Sequence, residues 1–380
     1  MNQFPKLLHV IFLGFFVTQL NAQTQLPLIH AKTDMVDIRD GDELNIGAWT
    51  LAPEYKPDVY TSNKKGEWVT FYTDVDSIRY KIHPDSVYDF IILLNGKDSA
   101  YTQIRYQASY LDILKGAGDY NANDKITFPG FTYQDSSNAA LKTLRKELKL
   151  DSIAGGGNEV SRIINLMHWI HDLVPHDGSH ENPVVKNAMS MIEECKRDER
   201  GLNCRGLATV LNECYLSLGI KSRFVTCMPK DSIFDDCHVI NMVYSNDLDK
   251  WIWIDPTNDA YIMDENGILL GLEEVRERLI NGKTLILNPD ANWNHRESTV
   301  KEHYLHYYMA KNLYRFECPL SSEYDTETPQ KGKHIEYIAL LPLDGLNQTP
   351  KVRESKNSKT GVSYKTYKTN SPDVFWAKPE

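Results

Sequence analysis

The sequence predicts an α+β protein: a helical block followed by antiparallel strands, with a β-sandwich-like domain in front. Three observations carry this. Between residues 158 and 218 apolar residues recur every three or four positions, the period of helices with one buried face. Between 220 and 255 the period falls to two, in short runs joined by short connections, which makes the strands antiparallel neighbours. Residues 30–108 hold several brief aromatic and β-branched runs at close spacing, the pattern of a small sandwich. Helices and strands grouped rather than alternating define α+β.

In chain order, residues 1–22 come first. Lys6 gives a positive start, Leu7–Val17 is apolar apart from His9, and Ala22 places a small residue at a cleavage point. This reads as a secretory signal peptide, too short for a comfortable membrane-spanning helix. The competing reading is an uncleaved anchor. No Cys follows the apolar run to carry a lipid, and no later stretch is apolar enough to span a bilayer. The mature chain is therefore expected to be periplasmic or extracellular, without a membrane span.

In the β-rich segment 30–108, Trp68–Thr73 is rich in strand formers, and Ile78, Tyr80 and Ile82 alternate. Asn95-Gly96-Lys97-Asp98 is a hairpin signal between Tyr88–Leu94 and Ala100–Tyr106. Residues 109–157 read as a linker with one short helix at 139–148; Gly155-Gly156-Gly157 is a junction rather than a phosphate loop. The catalytic candidate spans 158–330. Helices are expected at 158–175, 186–195 and 204–218, the last with Asn203 as N-cap and Gly219 as terminator. Strands are expected at 220–227, 238–244 and 250–255, and further helices at 273–281 and 296–316. Residues 331–380 read as one strand, 334–341, and a polar, lysine-rich tail of loop or edge structure.

Composition narrows function. Forty-two Lys and Arg against 52 Asp and Glu give a net charge of −10, which argues against a nucleic-acid partner. With 41% hydrophobic and 25% charged residues the chain is globular rather than disordered. The six cysteines all lie between 195 and 318, too sparse for a disulfide scaffold. Cys227 and Cys237 could bridge two arms of a hairpin.

The strongest chemical signal is Gly201-Leu202-Asn203-Cys204. A thiol in the first turn of a helix meets the positive end of the macrodipole and orphan N–H groups, which favour thiolate and can bind an oxyanion. Gly206 is expected to leave room near the sulfur. His238 begins one strand and Asp255 ends the next, so imidazole and carboxylate can meet at the rim of one sheet. Trp251, Trp253 and Asp255 share a face by alternation, and the indoles would keep water off the His–Asp bond. Singly, a Cys is more often a small hydrophobe, as Cys214 is expected to be, and a His or Asp a local hydrogen-bonding residue. Together and in this order they fit acyl transfer through a thioester.

Three segments, GLNCRGLATVLNECYLSLGIKSRFV, CHVINMVY and WIWIDPT, resemble the transglutaminase-like superfamily. The shared pattern is a Cys at a helix start, a small residue four on (Ala208), Leu218-Gly219-Ile220 then Arg223, a His on the next strand, and Trp-x-Asp. The resemblance implies a papain-like core with Cys204 as nucleophile, His238 as base and Asp255 as the acid that orients it, and no cofactor. The front segment more loosely resembles that of secreted bacterial members. It implies an exported thiol enzyme acting on amide or peptide bonds of a protein, peptide or peptide-like cell-wall substrate, with hydrolysis the default. The alternative is a non-catalytic protein- or glycan-binding module on the same scaffold.

A rival cluster is His168, His171, His176 and His180 with Asp172, Asp177 and Glu181. It lacks HExxH or paired CxxC spacing, so capping and cleft-lining roles outrank a zinc site. The acidic run 231–236 reads as a solvated hairpin tip.

Overall fold

The short aromatic strands of the first hundred residues pair into two four-stranded sheets in the computed structural model. It describes residues 26–379 except 54–55, 125, 234–235 and 345–350. The signal-peptide reading of 1–22 lies outside them. Contacts divide the chain into one unit ending at Ala108 and a second beginning at Ser109. In the first unit, one sheet is built on the hairpin Val87–Leu94/Asp98–Tyr106 and the other on Met35–Asp40 and Trp68–Tyr72. Val36, Ile38, Val69 and Phe71 of one sheet and Phe90, Ile92 and Ile104 of the other form one buried cluster. Phe71 meets Phe90 edge to face, with centroids 5.3 Å apart. Alternation drives this pairing, because each strand has one apolar face to bury.

The second unit carries a seven-stranded sheet. In spatial order its strands are Lys250–Ile254, His238–Ser245, Ser222–Met228, Arg315–Pro319, His334–Leu340, Ser363–Thr369 and Val352–Lys356. The first three are antiparallel neighbours in sequence, as short connections require; Arg315–Pro319 joins them antiparallel from much further along the chain. On one face lie the helices Glu159–Leu173, Ala188–Asp198 and Cys204–Ser217, sharing a core with Leu141, Leu144 and Leu150. The Cys204 helix is buried almost throughout, from Gly206 to Ser217. That burial fixes its position relative to the sheet by packing.

Three expectations are corrected. Residues 109–157 are no linker: helices Tyr110–Lys115, Ala139–Glu147 and Leu150–Ala154 belong to the second unit, and Leu114, Leu141, Leu144 and Leu150 are fully buried. Residues 331–380 supply three strands of the sheet. The Val352–Lys356 strand is an exposed edge, which is why its polar composition hides it. Phe375 and Trp376 are buried, and the Phe375 carbonyl accepts a hydrogen bond from the buried Arg223 guanidinium at 2.7 Å. The helix expected at 296–316 is shorter. A hairpin, Asn292–Trp293 with Glu297–Ser298, comes first, turned by Asn294 and His295 at positive φ. A π-helical run, Glu302–Met309, follows, and then the strand Arg315–Pro319, whose Phe316 is fully buried. Among the described residues no helix is long and apolar enough to cross a membrane.

Candidate active site

Asn203 caps the Cys204 helix, its side-chain oxygen accepting from the N–H groups of Arg205 (3.1 Å) and Gly206 (3.2 Å). Two of the helix's orphan donors are thereby used. The N–H of Cys204 itself finds no acceptor among the described residues. Asn182 braces the cap, accepting from the Asn203 N–H at 3.0 Å and donating to the Asn203 side chain at 2.7 Å. Gly206 serves this brace and not the sulfur: a Cβ there would stand 2.6 Å from the Asn182 Oδ1.

The structure brings Cys204, His238 and Asp255 together. His238 Nε2 donates to Asp255 Oδ2 at 2.8 Å, and both side chains are buried. Asp255 is held from every side. Thr257 N–H bonds its Oδ1 at 2.9 Å, and the Tyr304 hydroxyl (2.5 Å) and Asn258 amide (3.0 Å) bond its Oδ2. With Nε2 committed, Nδ1 is the His238 nitrogen left for the Cys204 sulfur, and the Tyr308 hydroxyl stands 3.4 Å from it. Tyr308 packs edge-on against the His238 ring, and Lys311, paired with Asp236, lies over Tyr308.

Electrostatics follows from these contacts. Burial alone would raise the Cys204 thiol. The neighbouring His176 and His238 side chains, the His238 charge and the Val239 backbone outweigh it and bring the thiol down to about 6. Burial opposes charging His238, but the Asp255 carboxylate and the Cys204 sulfur push the imidazole up to about 10. Asp255 stays below the usual carboxylate range despite burial, because His238, Tyr304 and Asn258 favour its charged form. The pair therefore rests as thiolate and imidazolium. Burial pushes each of the other five thiols up: Cys195, Cys214, Cys227, Cys237 and Cys318. All six cysteines are free, so the Cys227–Cys237 bridge is absent; Cys227 faces the core among Val225 and Trp253.

The rival histidines go separate ways. His168 bonds both oxygens of Asp259 (2.7 and 2.8 Å), His171 bonds the Pro256 carbonyl and Asn292, and His180 bonds Asp177 at 2.6 Å. Donor atoms of His168, Asp259 and Asp290 lie within 4.8 Å of one another, but His168 Nδ1 is already bonded to both Asp259 oxygens. Of the four, His176 alone is among the groups that lower the Cys204 thiol. Sequence reasoning placed His176 in the cluster without linking it to the thiol, and missed Tyr304, Tyr308 and Trp293.

Fold and site together define an α+β core with a thiol–imidazole–carboxylate chain at the start of a buried helix. Residues 146–256 match the model of the transglutaminase-like superfamily, a span that contains all three side chains. Part of the chain aligns with a candidate cysteine protease from Cytophaga hutchinsonii, at 20% identity, 34% of this chain, 40% of that chain and a TM-score of 0.25. A candidate protease from Parabacteroides distasonis aligns at 19% identity over 35% and 28%, with a TM-score of 0.20. Red sea bream transglutaminase aligns at 11% identity over 62% and 49%, with a TM-score of 0.22. The chain thus covers under half the length of each. No curated protein matches it.

Proposed function

We propose that the protein is an exported thiol hydrolase that cleaves amide or peptide bonds through a thioester on Cys204. The observation that carries this is the contrast among the thiols: Cys204, beside His238 and His176, is the one brought below the ordinary thiol range. The thiolate attacks the substrate carbonyl carbon, a C–S bond forms, and the carbonyl π pair moves to oxygen. That pair returns as the C–N bond breaks, and the His238 imidazolium gives its proton to the leaving amine. Water then attacks the thioester, His238 takes a water proton, and C–S cleavage returns the thiolate.

A polymeric substrate is favoured by the space around the site. A cavity of ≈ 550 Å³ is lined by His176, Arg200 and Trp293. Another of ≈ 430 Å³ is lined by Tyr304, Tyr308, Val300 and again Trp293. An extended chain crossing Trp293 would fill both, as a protein, peptide or cell-wall stem peptide could.

Iodoacetamide near neutral pH should label Cys204 well before the other five thiols, read by peptide mass spectrometry. Equal, slow labelling of all six would defeat the reading. An acyl-enzyme trapped from a panel of peptides should be lost in Cys204→Ala, and its absence from the wild type would favour a binding role. Export is supported by the apolar leader. Expressed with that leader in a bacterium, the secreted chain should begin at Gln23; retention of residues 1–22 would refute cleavage.

A further inference from the structure

Arg205, the residue after Cys204, lays its guanidinium on the seven-stranded sheet, donating to Thr226 Oγ1 at 3.0 Å. From Thr226 a row of directly paired residues runs across the sheet: Thr226 faces Glu317, Glu317 faces Ala339, and Ala339 faces Lys368. The Lys351 carbonyl accepts the Lys368 N–H at 3.1 Å, which makes Lys351 the next member. Paired residues share a face of the sheet, and so do residues two apart on one strand, so Arg353 joins Lys351 on this side. The row therefore starts under the first turn of the Cys204 helix and ends at the sheet's outer edge.

Its far end is basic. Lys351 and Arg353 are exposed and Lys368 is half-buried. Among the described residues no carboxylate stands within ion-pair distance of any of the three. Burial and the charges of Arg353, Arg315 and Lys351 outweigh Glu317 and push the Lys368 ammonium below the ordinary lysine range, so these side chains do face one another. Edge strands often carry lysine to keep other chains away. That role does not distinguish the two faces, yet here they differ. On the opposite face of the same two strands Lys365 is paired with Glu354 at 3.6 Å. Cations pool on the face that leads to Cys204, in a chain whose net charge is −10. Like charges held together without a counter-ion cost stability, and an anion laid across them would relieve that cost.

Strands lie about 4.8 Å apart, so Lys368 and Lys351 stand roughly 14 and 19 Å from Thr226 along the row. An extended peptide covers that distance in about four to six residues. We propose that Lys351, Arg353 and Lys368 form a docking shelf for an acidic segment of the substrate chain, about five residues from the bond that Cys204 attacks. Glutamate or aspartate side chains are the ligands, and the shelf selects for them by charge. Docking of this kind deepens the hydrolase reading and rests on Cys204 being its nucleophile.

The test uses two synthetic peptides and needs no knowledge of the natural substrate. Each carries a chloroacetyl group on four glycines, followed by three glutamates in one and three glutamines in the other. The Cys204 sulfur displaces chloride: a C–S bond forms, the C–Cl bond breaks, and chloride leaves with its electron pair. Labelling of Cys204 is followed by peptide mass spectrometry, and the ratio of the two rates is read. In the wild type at low salt the glutamate peptide should react about tenfold faster, the lower end of the gain from a focused field, although the protein's net charge would repel it. The ratio should shrink toward one in about 1 M salt, where screening acts within about 3 Å. Combining Lys351→Gln, Arg353→Gln and Lys368→Gln should bring it to one or below at low salt. Lys351→Gln with Arg353→Gln, both exposed, should lower it in a variant whose melting profile matches the parent. A wild-type ratio near one overturns the shelf, and so does a ratio that the substitutions leave intact. Aggregation of the variants with the ratio intact would identify the row as edge protection only. Iodoacetamide separates the two levels: preferential labelling of Cys204 with a ratio of one defeats the shelf alone, whereas slow labelling of all six thiols sinks the nucleophile assignment beneath it.

Discussion

Replacing Asp255 with Asn should lower amide turnover about 10⁴-fold, the loss expected when the group orienting a catalytic imidazole can no longer accept its N–H. Asp255 Oδ2 receives three donors, from His238, Tyr304 and Asn258, within 3.0 Å. An Asn side chain either turns its NH₂ into those donors or presents one neutral oxygen to them. Either way the His238 imidazolium loses its counter-charge inside a buried site. The pH profiles carry the mechanistic content. In the wild type, alkylation of Cys204 should rise through about pH 6, because His176 and His238 hold the sulfur as thiolate down to that point. It should stay high at alkaline pH, since a thiolate remains after His238 discharges. Turnover should rise with it but fall again near pH 10, where the imidazolium that protonates the leaving amine is lost. In Asp255→Asn the alkylation limb should move upward, toward the ordinary thiol range. An unmoved limb, or turnover within tenfold of wild type, would show that Asp255 does not govern His238.

How much of this was readable beforehand follows from distance along the chain. Asn203 and Cys204 were legible because capping is local: the residue type and the start of the helical period lie side by side. His238 and Asp255 were legible because one opens a strand and the other closes the next, and alternation along Trp251–Asp255 fixes which face the carboxylate joins. The Asp255 support from Tyr304 was not, because it comes from a π-helical run 49 residues on, and no short-range pattern announces a hydroxyl aimed across a core. His176 had a visible signal, a histidine just after Pro175, but its place depends on a β-bridge to Leu202 and on Trp293, 117 residues away, which donates to its ring. The strands Ser363–Thr369 and Val352–Lys356 were obscured for another reason. They extend the sheet at its outer edge, where polar side chains are stable and the hydrophobic period is weak.

Glu327→Ala should destabilise the protein by about 3 kcal/mol, a value toward the low end for breaking a buried pair because the Arg205 side chain keeps some solvent contact. Glu327 forms a two-point ion pair with Arg205, the residue after the candidate nucleophile, and accepts the Tyr337 hydroxyl at 2.6 Å. Arg205 also donates to Thr226 Oγ1 at 3.0 Å, so the pair ties the first turn of the Cys204 helix to two strands of the sheet. Without Glu327 the guanidinium is left largely desolvated, and that penalty exceeds the lost attraction itself. Acid unfolding gives the sign. Burial works against the Glu327 charge, but Arg205 and Tyr337 overcome it and hold the carboxyl at about 2. A depressed carboxylate contributes stability above its unfolded value, about 4.3, and loses that contribution as pH falls toward 2. The gap in stability between wild type and Glu327→Ala, measured by urea titration, should therefore be full at pH 6 and shrink between about pH 4.3 and 2. Converting both partners to Met should restore much of the stability while loosening the helix start, because an apolar pair packs but does not orient. Cys204 alkylation would then fall in a protein as stable as the parent. A gap under about 0.5 kcal/mol in Glu327→Ala, the scale of an exposed pair, would show that this contact does not anchor the nucleophile.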